Sequence, residues 1–280
     1  MIIIDSDNYA EHGIEAFFFP GGEPHVKIPH FEDEVLLFLK LRTWNDVGLA
    51  MALIDALEHQ AAWFHVFCPY FPGARQDRTD GKSPLTLDLM GRILGKGVRF
   101  SLDVFDPHSD AIHERMNVGV WMPRHLPVPI RQDVAGIIAP DAGAVHRATE
   151  FRDTFYPSAS LIECSKKRDF ASGKFLGYEM PALPGPGHYV VVDDICDGGG
   201  TFNLLAEAFD NDVMSAVSTL ELFVSHGIFS KGLCAISPLY THITTTDSWC
   251  RIPDNPEDTA RRHRLTVIPL LSALKEHLCA

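Results

Sequence analysis

The chain has 280 residues, of which 46% are hydrophobic and 22% charged, a balance typical of a soluble protein with one large domain or two of ordinary size. Its formal net charge of −13 argues against nucleic acid or an anionic membrane as the main binding partner. The sequence has no signal-peptide pattern, no apolar run long enough to span a bilayer and no Cys-x-x-Cys pair, and together these features predict a cytoplasmic protein.

Strand and helix patterns alternate through the first part of the chain. Short apolar runs predict strands at residues 1–4, 34–39, 63–69 and 99–105. Apolar residues at helical spacing predict helices at 47–59 and 85–94. Thr43 and Asn45 are both candidates for the N-cap of the first helix. The polar segment 71–83 is predicted to be a loop.

The alternation restarts after the proline-rich segment 122–129, which is the best linker candidate. Strands are predicted at 134–139, 160–164, 190–192, 214–223 and 264–268, and helices at 143–155, 204–209 and 269–278. The segment 165–187 is basic at its start and rich in Gly and Pro later, and it is predicted to be a long functional loop. The chain is therefore predicted to be α/β, with two domains at 1–128 and 129–280, each a mostly parallel sheet flanked by helices.

Residues 190–201 read Val-Val-Val-Asp-Asp-Ile-Cys-Asp-Gly-Gly-Gly-Thr and are the most informative stretch. The valine run predicts a strand buried on both faces, and the glycines let backbone N–H groups approach an anion at the N-terminus of the following helix. Adjacent carboxylates beside such a turn suit a ligand with vicinal hydroxyls and a phosphate, such as a ribose 5-phosphate group. The alternative is an ordinary turn with solvated acids, but three acids and three glycines in eight positions exceed ordinary turn chemistry.

This stretch resembles the phosphoribosyl pyrophosphate loop shared by type I phosphoribosyltransferases and ribose-phosphate diphosphokinases. Residues 69–78 read Pro-Tyr-Phe-Pro-Gly-Ala-Arg-Gln-Asp-Arg, which is similar to a diphosphokinase signature that the transferases lack. Other segments resemble the same family in the same order, at 19–23, 45–46, 106–109, 140–143, 166–168 and 226–230. The chain thus resembles a short, divergent ribose-phosphate diphosphokinase, which implies a type I phosphoribosyltransferase-like fold in each domain.

The resemblance implies a reaction and a role for each matching residue. The reaction would transfer the β,γ-pyrophosphoryl group of ATP, with Mg²⁺ as cofactor, to the C1 hydroxyl of ribose 5-phosphate, giving phosphoribosyl pyrophosphate and AMP. ATP would be bound by Phe19, Glu23, Arg75, Gln76, Asp77 and His108. Mg²⁺ would be held near Asp141 and His108, with His108 as a ligand or as a contact to phosphate. The ribose hydroxyls would be bound by Asp193 and Asp194, and the sugar phosphate by Gly198, Gly199, Gly200 and Thr201.

Three residues would act on the transferred group. Lys166 and Arg168 would neutralise charge as it develops, and Asp197 would orient the C1 hydroxyl or accept its proton. The implied partners are small molecules only, and the implied assembly is a homo-oligomer with the ATP site near a subunit interface.

The chain departs from the family pattern at two glycines. Gly21 stands where the family has an acid near adenine, and Gly198 stands where it has a threonine that holds the 5-phosphate. The second change removes a hydroxyl donor and side-chain bulk, so the same transfer onto ADP-ribose, in NAD metabolism, is the main alternative. A phosphoribosyltransferase and a non-catalytic regulatory homologue are further alternatives. The transferase reading leaves 75–78 and 226–230 unexplained, and the regulatory reading predicts loss of catalytic residues that are present.

Overall fold

The computed structural model describes residues 1–60, 63–94, 100–129, 131, 133–168, 175–209, 217–249 and 256–278, without the side chains of residues 167, 168, 175 and 176. The chain divides into two compact units, Met1–Met122 and Pro123–Ala280. The boundary expected after residue 128 stays a prediction. Among the described helices, none has the length and apolar character needed to cross a bilayer.

The first unit contains a five-stranded parallel sheet in the order β1-β4-β5-β6-β7 and a separate antiparallel hairpin of β2 and β3. Its elements in chain order are β1 (Ile2–Asp5), β2 (Glu15–Phe18), β3 (Pro24–Lys27), β4 (Val35–Phe38), α1 (Trp44–His59), β5 (Phe64–Cys68), α2 (Thr86–Leu94), β6 (Phe100–Phe105), α3 (Ala111–Arg115) and β7 (Gly119–Trp121). Every residue of β4 is buried, as expected for a strand covered on both faces.

Helix α1 begins at a capping box formed by Thr43 and Asp46. The Asp46 backbone N–H donates to the Thr43 hydroxyl at 3.2 Å, and the Thr43 N–H donates to the Asp46 carboxylate at 2.7 Å. Each bond satisfies a backbone donor that the helix itself cannot pair. The N-cap is therefore Thr43, and Asn45 lies inside the first turn.

The second unit contains a six-stranded parallel sheet in the order β15-β14-β13-β12-β8-β9 and an antiparallel hairpin of β10 and β11. Its elements in chain order are β8 (Val134–Ala139), α4 (Val145–Phe155), β9 (Ser160–Glu163), β10 (Ser165–Arg168), β11 (Phe175–Glu179), β12 (Gly187–Cys196), α5 (Gly200–Glu207), β13 (Val217–Gly227), β14 (Tyr240–Thr246), α6 (Pro256–Arg261), β15 (Leu265–Ile268) and α7 (Leu270–Leu278). The predicted fold class, parallel sheets flanked by helices, is confirmed.

The structure corrects several predicted elements. The segment 165–187 is not a plain loop, because β10 and β11 pair within it. Strand β12 continues through the two acids to Cys196, and α5 begins at Gly200 rather than at 204. Strands β7 and β14 were not predicted. Strand β14 contains four threonines and therefore lacks the apolar run by which the other strands were predicted, although it pairs with a strand on each side.

Candidate active site

The glycine-rich turn lies between the central strand β12 and helix α5. Strand β12 pairs in parallel with β8 on one side and β13 on the other. Gly199 has φ 77 and caps α5, and a Cβ there would lie 2.4 Å from Ile236 Cδ1. Both the left-handed backbone and the contact require glycine at 199. The turn therefore presents backbone N–H groups at a helix N-terminus, where an anion is stabilised.

The residues after β13 hold this turn from one side. The N–H groups of Ile228 and Phe229 donate to the Cys196 carbonyl at 2.9 and 3.0 Å, and the Ser230 N–H donates to the Asp197 carbonyl at 3.1 Å. Phe229 has φ 46, a value that few non-glycine residues adopt. The motif 226–230 thus fixes the backbone where the turn starts.

His226 begins that motif and is buried at the end of β13. Its Nδ1 lies 2.8 Å from the hydroxyl of buried Ser248, and that hydroxyl in turn donates to the Ser225 carbonyl at 3.2 Å. The histidine is therefore hydrogen-bonded within the unit, beside the parallel pairing of β12 and β13.

The paired acids lie inside β12 rather than after it. Asp194 is only 4% exposed and Asp193 is half-buried. Burial, and then the charge of Asp194, raises the pKa of Asp193 well above its usual range, while the Arg147 guanidinium opposes that rise. Arg147 is buried on α4, a helix that packs on β8 and β12. It was not predicted as a site residue, although it falls on the apolar face that Ala148 and Phe151 mark in the sequence.

Lys166 and Asp141 form an ion pair. The Lys166 ammonium donates to Asp141 Oδ2 at 2.5 Å, and the Gly143 N–H donates to Asp141 Oδ1 at 3.0 Å. Both side chains of the pair are 29% exposed. The structure thus brings together a residue predicted to act on the transferred group and one predicted at the metal. The side chain of Arg168 lies outside what the structure describes.

Tyr178 is a second site residue that was not predicted. It lies opposite Lys166 in the β10–β11 hairpin, and β11 packs against α5. Burial raises the pKa of Tyr178 to about 12; the negative charges of Asp141 and Asp193 add to the rise, and the nearby Thr201 hydroxyl opposes it. The tyrosine therefore lies beside the last residue of the turn. Only its position opposite Lys166 in a hairpin could have pointed to it.

The donors present suit a hard divalent cation in part. Within the described residues, no three His, Cys, Asp or Glu side chains form a group that could hold a metal ion alone. Mg²⁺ usually takes one or two carboxylates and completes its shell with waters and substrate phosphates, so Asp141 fits that role. The exposed imidazole of His108 fits a phosphate contact better than a magnesium ligand.

In the first unit, the predicted ATP residues of 75–78 and His108 lie on loops after the neighbouring strands β5 and β6. The Ser109 hydroxyl donates to the Asp77 carboxylate at 2.7 Å and so links the two loops. Arg75, Gln76 and Arg78 are exposed. A pocket of about 670 Å³ is lined by both loops, with Asp77, Arg78, Thr79, Ser109 and Arg115 among its residues.

The other predicted ATP residues lie around the β2–β3 hairpin. Phe19 is 47% exposed, and its ring centroid lies 5.2 Å from that of Phe17 and 5.3 Å from that of His25. A Cβ on Gly21 would lie 2.6 Å from Glu23 Oε2. The Glu23 carboxylate thus occupies the place where a side chain at 21 would start, so a carboxylate is present there despite the glycine.

The bulk missing at Gly198 is likewise replaced. A Cβ on Gly198 would lie 3.2 Å from the Cδ and Cε methylene groups of Lys231. The expectation that the glycine leaves extra room at the turn is therefore wrong. Lys231 follows a matched motif and has no signal of its own in the sequence.

No family model matches the sequence. Curated proteins named ribose-phosphate pyrophosphokinase match it from Maricaulis maris (28% identity over 269 residues), Granulibacter bethesdensis (27% over 221) and Mycoplasmopsis pulmonis (26% over 195). These alignments cover 90%, 73% and 67% of this chain and 84%, 67% and 60% of the relatives, respectively. The solved phosphoribosylpyrophosphate synthetase of Mycobacterium smegmatis shares the fold, with a TM-score of 0.69 over 98% of this chain and 97% of that one at 18% identity. The chain is thus similar, along most of its length, to enzymes named ribose-phosphate pyrophosphokinase.

Proposed function

We propose that the protein transfers the β,γ-pyrophosphoryl group of ATP to the C1 hydroxyl of a 5-phosphorylated ribose and releases AMP. The observation that carries this proposal is the turn at 197–201, which is fixed between β12 and α5 with two carboxylates on the preceding strand. That arrangement offers N–H donors to a phosphate and acceptors to sugar hydroxyls. The relatives are named for chemistry on ribose phosphate, which agrees with it.

The acceptor would be bound by the second unit. The N–H groups of the turn and the N-terminus of α5 would bind the phosphate on C5. Asp193 and Asp194 would accept hydrogen bonds from the 2- and 3-hydroxyls. Since burial and mutual repulsion disfavour two charges here, two hydroxyl donors would stabilise the ionised pair. Arg147 would act through this pair as a positioning residue.

The transfer itself would be an in-line displacement at the β-phosphorus of ATP. The C1 oxygen forms a bond to that phosphorus, the bond from it to the α,β-bridging oxygen breaks, and AMP leaves with the bond's electrons. Asp197 would orient the C1 hydroxyl or take its proton. Lys166 and Arg168 would stabilise the negative charge on the transferred group.

The resemblance names the residues that would bind ATP and its metal. Phe19, Glu23, Arg75, Gln76 and Asp77 would contact the nucleotide, and His108 would contact its phosphates. Asp141 would hold Mg²⁺ together with phosphate oxygens of ATP, and the bound ion would supply positive charge to the transferred group. In the structure described, the Lys166 ammonium pairs with one oxygen of Asp141. Lys166 would leave that oxygen as it turns to the transferred group.

The test is to incubate the protein with Mg·ATP and ribose 5-phosphate or ADP-ribose while following the nucleotides and the phosphorus resonances. AMP together with a new pyrophosphate ester on C1 is expected without any nucleobase. ADP as the product would indicate transfer of a single phosphoryl group. A requirement for a nucleobase would indicate a phosphoribosyltransferase, and inertness toward both acceptors would indicate a regulatory homologue.

We infer in addition a cytoplasmic homo-oligomer with ATP bound near a subunit interface. Light scattering with and without Mg·ATP tests the assembly, and a monomeric active enzyme would refute it.

A further inference from the structure

The glycine at 198 is explained by a neighbouring side chain and not by its backbone. Gly198 does not have a positive φ, so other residues could adopt its backbone conformation. A Cβ there would lie 3.2 Å from both Cδ and Cε of Lys231 and 3.5 Å from its Cγ. Such contacts are tighter than most Cβ contacts, so a side chain at 198 would have to displace the lysine stem by a few tenths of an ångström. Glycine at 198 therefore leaves space for the aliphatic stem of Lys231.

Lys231 is anchored beside the turn at its backbone. The preceding residue, Ser230, donates its N–H to the Asp197 carbonyl at 3.1 Å. The following residue, Gly232, has φ 78, and a Cβ there would lie 2.4 Å from the carboxylate of buried Asp258. Because both neighbours are held by these contacts, the Lys231 side chain starts beside the turn.

Lys231 carries a positive charge at the surface. The residue is exposed, and among the described residues no carboxylate pairs with its ammonium. The nitrogen is bonded to Cε, one of the two Lys231 atoms that lie 3.2 Å from a Cβ at 198, so the charge lies close to the turn. Under the proposed function, a phosphate inside the turn would be bound by N–H groups and by the N-terminus of α5. The lysine therefore adds positive charge beside the turn, in addition to these backbone donors.

We propose that Lys231 is a specificity-determining residue for the acceptor, and that it binds the second phosphate of a ribose carrying a 5-diphosphate ester, such as ADP-ribose. This inference rests on the proposed function and names the acceptor class of the same site. A terminal monoester places its whole charge inside the turn, where residue 198 offers no side-chain donor. A diphosphate ester would place one phosphate in the turn and the next outside it. The Lys231 ammonium would bind this second phosphate.

The test measures acceptor binding by calorimetry and kcat/KM for ADP-ribose and ribose 5-phosphate, in the wild type and in Lys231→Met. Methionine keeps the stem and removes the charge, and Lys231→Arg is the matched control because it keeps both. Loss of a charged hydrogen bond is expected to weaken ADP-ribose about 10–100-fold in Lys231→Met. Ribose 5-phosphate should change less than about threefold, and Lys231→Arg should stay near the wild type.

A second pair of variants tests the space left at 198. Gly198→Thr should displace the lysine stem and weaken ADP-ribose, but the same change made in Lys231→Met should add little further loss, because both remove one interaction. Equal losses for both acceptors, or none, would overturn the inference while leaving the proposed pyrophosphoryl transfer standing. AMP formation with neither acceptor, combined with unchanged ADP-ribose binding in Lys231→Met, would refute both the proposed function and this inference.

Discussion

Replacing Lys166 by methionine should lower turnover far more than it lowers stability. The substitution keeps the aliphatic stem and removes the ammonium that lies 2.5 Å from Asp141. A cation that stabilises developing negative charge is worth about 10²–10³-fold in kcat. If the charge acts mainly in the transition state, KM for both substrates should change by less than about fivefold.

The stability change is set by the burial of the ion pair. Fully exposed pairs contribute about 0–1 kcal/mol, and breaking a fully buried pair costs about 3–5 kcal/mol. Both partners are 29% exposed, and Asp141 keeps its bond from the Gly143 N–H. We therefore expect Lys166→Met to cost about 1–2 kcal/mol. Lys27→Met is the matched control, because the Lys27–Glu15 pair is 64% and 67% exposed and should contribute little.

The assay combines steady-state release of AMP with urea unfolding of the same preparations. A double-mutant cycle with Asp141→Asn should give a coupling energy in stability of about 1 kcal/mol, which measures the pair itself. If Lys166→Met kept kcat within about threefold of the wild type, the role of the hairpin in the transfer would be refuted, even with the stability change as expected.

Three further predictions follow from the described contacts. Asp193→Asn should raise the midpoint of thermal unfolding at neutral pH and weaken acceptor binding in calorimetry. Because the pKa of Asp193 is raised, ionising this carboxyl lowers the stability of the folded protein as pH rises above the usual pKa of an aspartate. Unchanged stability in the variant would contradict this. Tyr178→Phe should raise the acceptor KM about fivefold through lost support of Thr201, with kcat within twofold, and an unchanged KM would contradict this role. The Arg42 guanidinium lowers the pKa of Asp7 from 3.8 to about 2, so its stabilisation, present above 3.8, should disappear as pH falls through 2, and Asp7→Asn should flatten acid unfolding over that range.

Features with a local cause could be predicted from the sequence. Apolar runs predicted the buried strands, Thr43 was one of the two N-cap candidates for the first helix, and the glycines after β12 predicted the turn before α5. These features follow from the spacing of apolar residues, from helix capping and from the conformational freedom of glycine, each of which acts within a few residues.

Features that depend on distant partners could not be predicted. Strand β14 is polar, and its pairing with β13 and β15 is a property of the sheet and not of its composition. The burial of Arg147 against β12 requires knowing which face of α4 packs on the sheet. Tyr178 reaches Thr201 only because β10 and β11 form a hairpin, and the sequence reads there as a Gly- and Pro-rich connection.

The two glycines that depart from the family pattern show why a substitution should be interpreted together with the atoms around it. Read alone, Gly21 loses a carboxylate and Gly198 loses a hydroxyl and opens space. In the structure the Glu23 carboxylate lies 2.6 Å from a Cβ at 21, and the Lys231 stem lies 3.2 Å from a Cβ at 198. Neither glycine has a positive φ, so the backbone conformation does not require glycine at either position. At each position the missing side chain leaves space for the charged side chain of a neighbouring residue. Glu23 is itself one of the residues that match the family, so at 21 one acidic charge is lost, whereas at 198 a neutral donor is exchanged for a cation. Acceptor recognition should therefore change.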